Sequence, residues 1–353
     1  MTYSLTKTHE ILLTSERGER LASCVNLSFL SGSPSGNILK VLPDHTKQTL
    51  LGIGTSFTES SAFVLAHLEP AKRLDVIRHL FSQEGANFAL ARTPIGSCDF
   101  SVQGRYSYAD TPDDRELQLF DIGVDHDGFS PVEYPGIRDP RYDLLPMIEE
   151  AIQVKAGQSD QALRIIASAW TAPPWMKDIG TWFDPPAEHN GYKGTGGTLK
   201  SDAYANYAAY LLKYLEAYQA KGVRIWGLTA VNEPYGNNGQ WESMHFSADT
   251  LRRFIIDHLG PQLHARGLAD TRLFIYDHNR SQLEPWADAF YADPQARKYV
   301  TGAAVHWYDS TFKVYEDTFD RVHAKYPDCM LINTEACIDD LGNDAGPGIM
   351  DPG

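Results

Sequence analysis

The chain has 353 residues, 42% of them hydrophobic and 22% charged, proportions that suit a soluble globular protein with one large core or two smaller ones. Its formal net charge of -15 is spread without long acidic runs, which excludes a broad nucleic-acid or anionic-membrane footprint and points to uncharged or weakly charged substrates. Cys24, Cys98, Cys329 and Cys337 are scattered with no C-x-x-C pair, so they are expected as free buried thiols rather than as a disulfide or zinc framework.

The opening residues lack an apolar core behind a basic start, so no secretory signal is read and a cytoplasmic location is expected. No stretch of about 18 apolar residues occurs anywhere, so no transmembrane segment is expected. Residues 1–47 hold three strand-like pieces, EILLT, LASCVNLSF and NILKVL, with SGSPSGN between the last two. They predict a β segment that is part of a small side β-domain, with too few strands to be stable alone.

From residue 48 to residue 353, short apolar runs alternate with amphipathic stretches. The expected strands are Thr49–Phe57, Asn87–Thr93, Leu163–Ser168, Ile225–Val231, Arg272–Tyr276, Gly302–Trp307 and Cys329–Asn333. Between them, apolar spacing of three and four predicts helices such as Ser60–Ser82 and Asp202–Gly222, the second closed by its glycine. With no G-x-G-x-x-G after the first strand, the α/β series predicts a (β/α)8 TIM barrel rather than a doubly wound sheet. The tail DDLGNDAGPGIMDPG reads as loop, so the barrel is expected to be C-terminally incomplete, with about seven βα units and no strand eight.

In such a barrel the reactive groups follow the strands. Arg92 and the run Ser97–Phe100 follow the second strand, Trp170–Trp175 the third, and Asn232-Glu233-Pro234 the fourth. Asp277–Arg280 follow the fifth, His306-Trp307-Tyr308 the sixth, and Glu335 the seventh. Two carboxylates in one aromatic-lined mouth are what glycoside hydrolysis needs, one to protonate the leaving oxygen and one to meet the anomeric carbon, and Glu233 and Glu335 fit. A metal on His278, His306 and Asp277 has no supporting motif, and Ser56, Ser97 and Ser168 lie outside any G-x-S-x-G, so no metal and no cofactor are expected. Packing alone is a competing account of Trp175, and tying two loops together is the preferred account of Asp277 and Arg280.

The ordered motifs GIGTSFTESSA, FALARTPIGSCDFS, YSYADTPDD, SAWTAPPWMK, GLTAVNEP, AVHWY and NTEAC, over roughly residues 48 to 338, make the chain resemble glycoside hydrolase family 30, in its glucosylceramidase (acid β-glucosidase) branch. The resemblance implies a retaining double displacement on a terminal β-D-glucoside, with Glu233 as acid/base and Glu335 as nucleophile. It also implies that Asn232 binds the sugar 2-hydroxyl, that Asp99 and Trp170 hold the glycone hydroxyls, and that Phe100 walls the pocket. Arg92 would keep Glu335 ionised, Tyr308 would donate to the same carboxylate, and His306 and Trp307 lie in the matching strand. Glu233, as resting acid, would need a raised pKa.

Two departures are Ala169, where that branch has Pro in SPW, and Val231, where a Glu is common before the Asn-Glu pair. The Gly- and aromatic-rich stretch from Trp182 to Thr198 reads as a rim loop on the aglycone side, where preference is set. A β-1,6-glucan or a β-xyloside is the alternative substrate within the family. A sugar-binding barrel, or a fragment that is poorly soluble or inactive alone, is the alternative outside it. The substrate is thus a small-molecule or glycolipid β-glucoside, and the oligomeric state is open.

Overall fold

A computed structural model describes residues 12–23, 35–38, 40, 42–157, 162–183, 196–237, 239–310 and 313–337. The chain divides into two compact units, Met1–Leu50 and Leu51–Gly353. In the first unit, β1 (Leu12–Leu13) pairs antiparallel with β2 (Ala22–Ser23). These two strands fall within the first two expected pieces. The described residues of NILKVL form no strand, and Cys24 lies outside the described residues.

The second unit is built on a parallel sheet ordered β3 (Gly54–Ser56), β4 (Leu90–Ile95), β5 (Arg164–Ala169), β6 (Ile225–Thr229), β7 (Arg272–Asn279), β8 (Val300–His306) and β9 (Met330–Glu335). Each strand is hydrogen-bonded to the next in sequence, the order of a singly wound βα series. β4 and β5 are buried on both faces along nearly their whole length, the mark of a sheet covered by helices. Side chains from β4, β7 and β9 meet in its interior, so the sheet is curled as seven strands of a (β/α)8 barrel. Residues 338–353, where the tail was expected to end the barrel, lie outside the described residues.

The helices follow the strands in turn: α1 (Glu59–Ala66), α2 (Pro70–Phe81), α3 (Leu144–Ala156), α4 (Tyr204–Ala220), α5 (Ala248–Phe254), α6 (Gly260–Ala265), α7 (Leu283–Tyr291), α8 (Pro294–Arg297) and α9 (Glu316–Lys325). The helix expected over residues 60–82 is two helices. Pro70 has no N–H to continue the ladder and drives Glu69 to an extended ψ of 139°, so α2 restarts with proline in its first turn. α4 buries Tyr207, Tyr210, Tyr214 and Tyr218 along one stripe and ends before Gly222, whose φ of 82° suits the left-handed turn there. Among the described residues, no helix is long and apolar enough to cross a membrane.

Two bulges decide where the site's side chains go. The β7–β8 register shifts between Tyr276 and His278, leaving Asp277 as the extra residue, and Tyr276 and Asp277 take φ values of 76° and 53°. The β8–β9 register shifts between Val305 and His306, leaving Thr334 as the extra residue and pairing His306 with Glu335.

Candidate active site

Asp277 is fully buried at the centre of the strand ends. Its Oδ2 accepts from Arg92 Nη2 (2.8 Å), Ser168 Oγ (2.8 Å) and Thr229 Oγ1 (2.7 Å). Its Oδ1 accepts from Thr334 Oγ1 (2.6 Å) and faces His306 Nε2 (3.1 Å). Burial alone would raise this carboxyl. The Arg92 charge and the bonds from His306 and Thr334 more than offset burial and hold it well below the usual carboxylate range. The expectation that Asp277 merely ties two loops is therefore corrected. Arg280 does tie loops, donating to the Trp307 carbonyl (2.9 Å) and to Asp309 (3.3 Å).

Arg92 spends its donors on four partners. Besides Asp277 it reaches Glu335 Oε2 (2.5 Å), Asn232 Oδ1 (2.7 Å) and Ser168 Oγ (3.2 Å). Its guanidinium lies over the Trp170 ring, 4.8 Å from the centroid. Burial works against its charge, and Asp277 and Glu335 restore it, so Arg92 is a fixed cation beneath Glu335. With its oxygen held by Arg92, the Asn232 amide is fixed in orientation.

Glu233 and Glu335 come together. One carboxylate oxygen of each and a ring nitrogen of His306 lie within 4.8 Å of one another. Glu233 has a left-handed φ of 47°, and its N–H donates to the Asp277 carbonyl at 3.0 Å. Its Oε1 faces His306 Nδ1 at 3.0 Å and His278 Nδ1 at 3.8 Å. Burial pushes this carboxyl up, but the His306 hydrogen bond and the charges of His278, His306 and Arg92 outweigh it, so the net displacement is downward. The expectation of a raised Glu233 is corrected here, because sequence does not reveal an imidazole on its oxygen.

His306 is fully buried between two carboxylates. Burial disfavours its charge, yet Glu335, Asp277 and Glu233 push it up to about 10. Both ring nitrogens already face carboxylate oxygens and Glu335 is paired with Arg92, so a cation here would have to displace these partners.

The other expected residues surround this centre. Asp99 is exposed just past β4, where partial loss of solvent and the charges of Glu335, Glu233 and Glu242 push its carboxyl up to about 7. Phe100 is 45% exposed, and Trp170, only 6% exposed, seats the Arg92 guanidinium. Trp307 donates to the Cys337 carbonyl (3.2 Å). Tyr308 Oη lies 3.1 Å from Cys337 Sγ, and its phenol is pushed up by burial, by the Glu335 charge and by hydrogen bonding to Cys337 and Glu335. Cys337 is exposed rather than buried as expected, while Cys98 and Cys329 are buried. Trp175 donates to the Ala109 carbonyl (2.8 Å), which fits packing. Of the expected rim loop, residues 184–195 lie outside the described residues.

Sequence reasoning missed Ser168, Thr229 and Thr334 as Asp277 donors. Their signal was faint: a single hydroxyl near the end of each of three strands.

Residues 50–346 match the Glycosyl hydrolase family 30 TIM-barrel domain. The chain is 31% identical over 331 residues to the lysosomal acid glucosylceramidase of Mus musculus, covering 92% of this chain and 58% of that one. It is 31% identical over 288 residues to an endo-1,6-beta-D-glucanase of Neurospora crassa, covering 80% and 53%. Among solved structures, SrfJ from Salmonella typhimurium aligns with a TM-score of 0.71 at 27% identity, over 86% of this chain and 60% of that one. The chain thus spans between half and three-fifths of the length of these relatives.

Proposed function

The chain belongs to glycosyl hydrolase family 30, and from that premise we propose that it hydrolyses a terminal β-D-glucosidic bond by double displacement with retention. One observation carries the reading: the Glu233 and Glu335 carboxylates approach within 4.8 Å. Retaining glycosidases hold their pair about 5 Å apart so that one can attack carbon, whereas inverting enzymes need roughly 6.5–9.5 Å to admit a water.

In this reading Glu335, paired with and aimed by Arg92 at 2.5 Å, attacks the anomeric carbon while Glu233 protonates the leaving oxygen. The Asn232 amide meets the sugar 2-hydroxyl, an interaction that strengthens as the ring gains oxocarbenium character. Asp99 and Trp170 hold the other hydroxyls, with Phe100, Trp307 and Tyr308 as walls. Once Glu335 is esterified its charge is gone, and Glu233 takes a proton from the water that releases the sugar.

The glucosylceramidase relative supports glucose at the cleaved position, with glucosylceramide as the candidate natural substrate. The fungal relative favours a second reading, hydrolysis within a β-1,6-glucan by the same groups. Proton NMR of the first product from an aryl β-glucoside tests the chemistry. The β-anomer is expected to appear first, and initial α-glucose overturns the retaining reading. Parallel rates on glucosylceramide and on a β-1,6-glucan oligosaccharide separate the two substrates.

A further inference from the structure

His306 stands in a line of four atoms, Asp277 Oδ1, His306 Nε2, His306 Nδ1 and Glu233 Oε1, with gaps of 3.1 Å and 3.0 Å at its two ends. Asp277 is already committed as a carboxylate by Arg92 and three hydroxyl donors, so the Nε2 position carries a hydrogen. The other end then holds one proton between Nδ1 and Oε1, because two bare acceptors at 3.0 Å would repel. The same heavy-atom geometry serves an imidazolium with a carboxylate or an imidazole with a carboxylic acid.

We propose that the proton delivered to the leaving oxygen is stored in the His306–Glu233 hydrogen bond, on His306 at rest, and that Asp277 is the positioning residue that keeps it there. The proposal rests on the glycosidase reading above and adds a residue to its chemistry. The groups facing His306 are Glu233, Asp277 and Glu335, with Arg92 behind the last two, His278 at 6.4 Å between ring centroids and Tyr308 at 6.1 Å. Three anions against one neighbouring cation favour the imidazolium, in keeping with the upward displacement of His306 to about 10.

The steps balance. As substrate excludes water, the Nδ1–H bond breaks and the Glu233 Oε1–H bond forms, leaving a neutral imidazole that still donates Nε2–H to Asp277. The carboxyl turns about its last side-chain bond and gives that proton to the glycosidic oxygen. The anomeric C–O bond breaks with its electron pair going to that oxygen, and a Glu335 oxygen forms the new bond to carbon. Glu335 is the foremost of the charges that raise His306, so its esterification lets His306 stay neutral while the intermediate lasts, with the turned Glu233 carboxylate no longer facing Nδ1. The attacking water then returns a proton through Glu233 to Nδ1, and Glu335 leaves as a carboxylate.

Two measurements on the full chain test this. The first is nitrogen-15 NMR of labelled histidine in the resting protein, which needs no substitution. The His306 ring is expected as an imidazolium at about pH 7 and above, with its titration displaced downward once a 2-deoxy-2-fluoroglucoside has esterified Glu335. A neutral ring at that pH overturns the proposal. A chain that the fluoroglucoside never labels counts against the glycosidase reading instead, and the resting titration still decides where the proton lies.

The second measurement is a leaving-group series with His306→Gln and Asp277→Asn. For an alkyl β-glucoside, which needs its oxygen protonated, kcat/KM of His306→Gln is expected to fall about 10²- to 10⁴-fold. For the 2,4-dinitrophenyl β-glucoside, which leaves unaided, the fall is expected to stay within about tenfold. Asp277→Asn should move the basic limb of the pH profile down by about one unit. Equal losses on both substrates with an unmoved pH profile would mark His306 and Asp277 as merely structural.

Discussion

Arg92 Nη1 lies 2.5 Å from Glu335 Oε2, although their strands are second and seventh in the sheet and the residues are 243 positions apart. In a flat sheet five strand steps at about 4.8 Å would hold β4 and β9 about 24 Å apart. The contact is therefore a measure of curvature, and it couples the site's assembly to the curling of the sheet.

Arg92→Lys keeps the charge and loses the fork that reaches Glu335, Asp277, Asn232 and Ser168 together. We expect kcat/KM on an aryl β-glucoside to fall about 10²-fold, since a misplaced nucleophile costs that much. A loss below about threefold in steady-state kinetics contradicts the role given to the fork.

Glu335→Gly removes the attacking carboxylate and leaves room beneath the anomeric carbon. On an activated β-glucoside, added azide should restore turnover and yield the α-glucosyl azide. If azide instead rescues Glu233→Gly with inversion, the two carboxylates exchange roles.

Asp125 is fully buried, accepting from Tyr108 (2.7 Å) and Tyr218 (2.6 Å), and burial above all pushes its carboxyl up to about 7 from an ordinary 3.8. Between those values the folded chain keeps a proton that the unfolded chain has released. This contribution to stability is fully present below about pH 4 and is lost as pH rises through about 7, up to about 4 kcal/mol in all. The melting temperature of Asp125→Asn relative to the parent should therefore climb between pH 5 and pH 8. A constant difference across that range refutes the assignment.

Lys177 is fully buried and its ammonium donates to Thr171 Oγ1 (2.9 Å), the Trp182 carbonyl (3.0 Å) and the Ser243 carbonyl (2.8 Å). Lys177→Met should destabilise the chain by about 3 kcal/mol, because several buried acceptors lose a charged donor. Chemical denaturation reads this directly, and an unchanged midpoint would mean that water replaces the ammonium.

The barrel was legible because each strand is a short apolar run and the polar residue after it stands at the reactive face. Glu233, Glu335 and Asn232 were found that way, whereas Arg92 lies inside β4 rather than after it. Asp277 was also placed after its strand but read as a loop tie, because alternation along a strand carries no sign of a bulge, and the extra residue in β7 turns it into the interior. Cys337 lies just past β9, the last strand of the sheet, so its exposure depends on what covers that strand and not on its own hydrophobicity. The proton on His306 was beyond reach for a related reason: ionisation is a property of a cluster, and the cluster is drawn from four strands' ends.

The left-handed backbone at Glu233 is held by a hydrogen bond to the carbonyl of Asp277, itself left-handed in the β7 bulge. Grafting Asn-Glu-Pro onto another barrel would thus transfer the letters without the conformation. The portable unit is the pair of loops after β6 and β7, exchanged together, and a recombination boundary between them should yield chains that fold yet present Glu233 at the wrong angle.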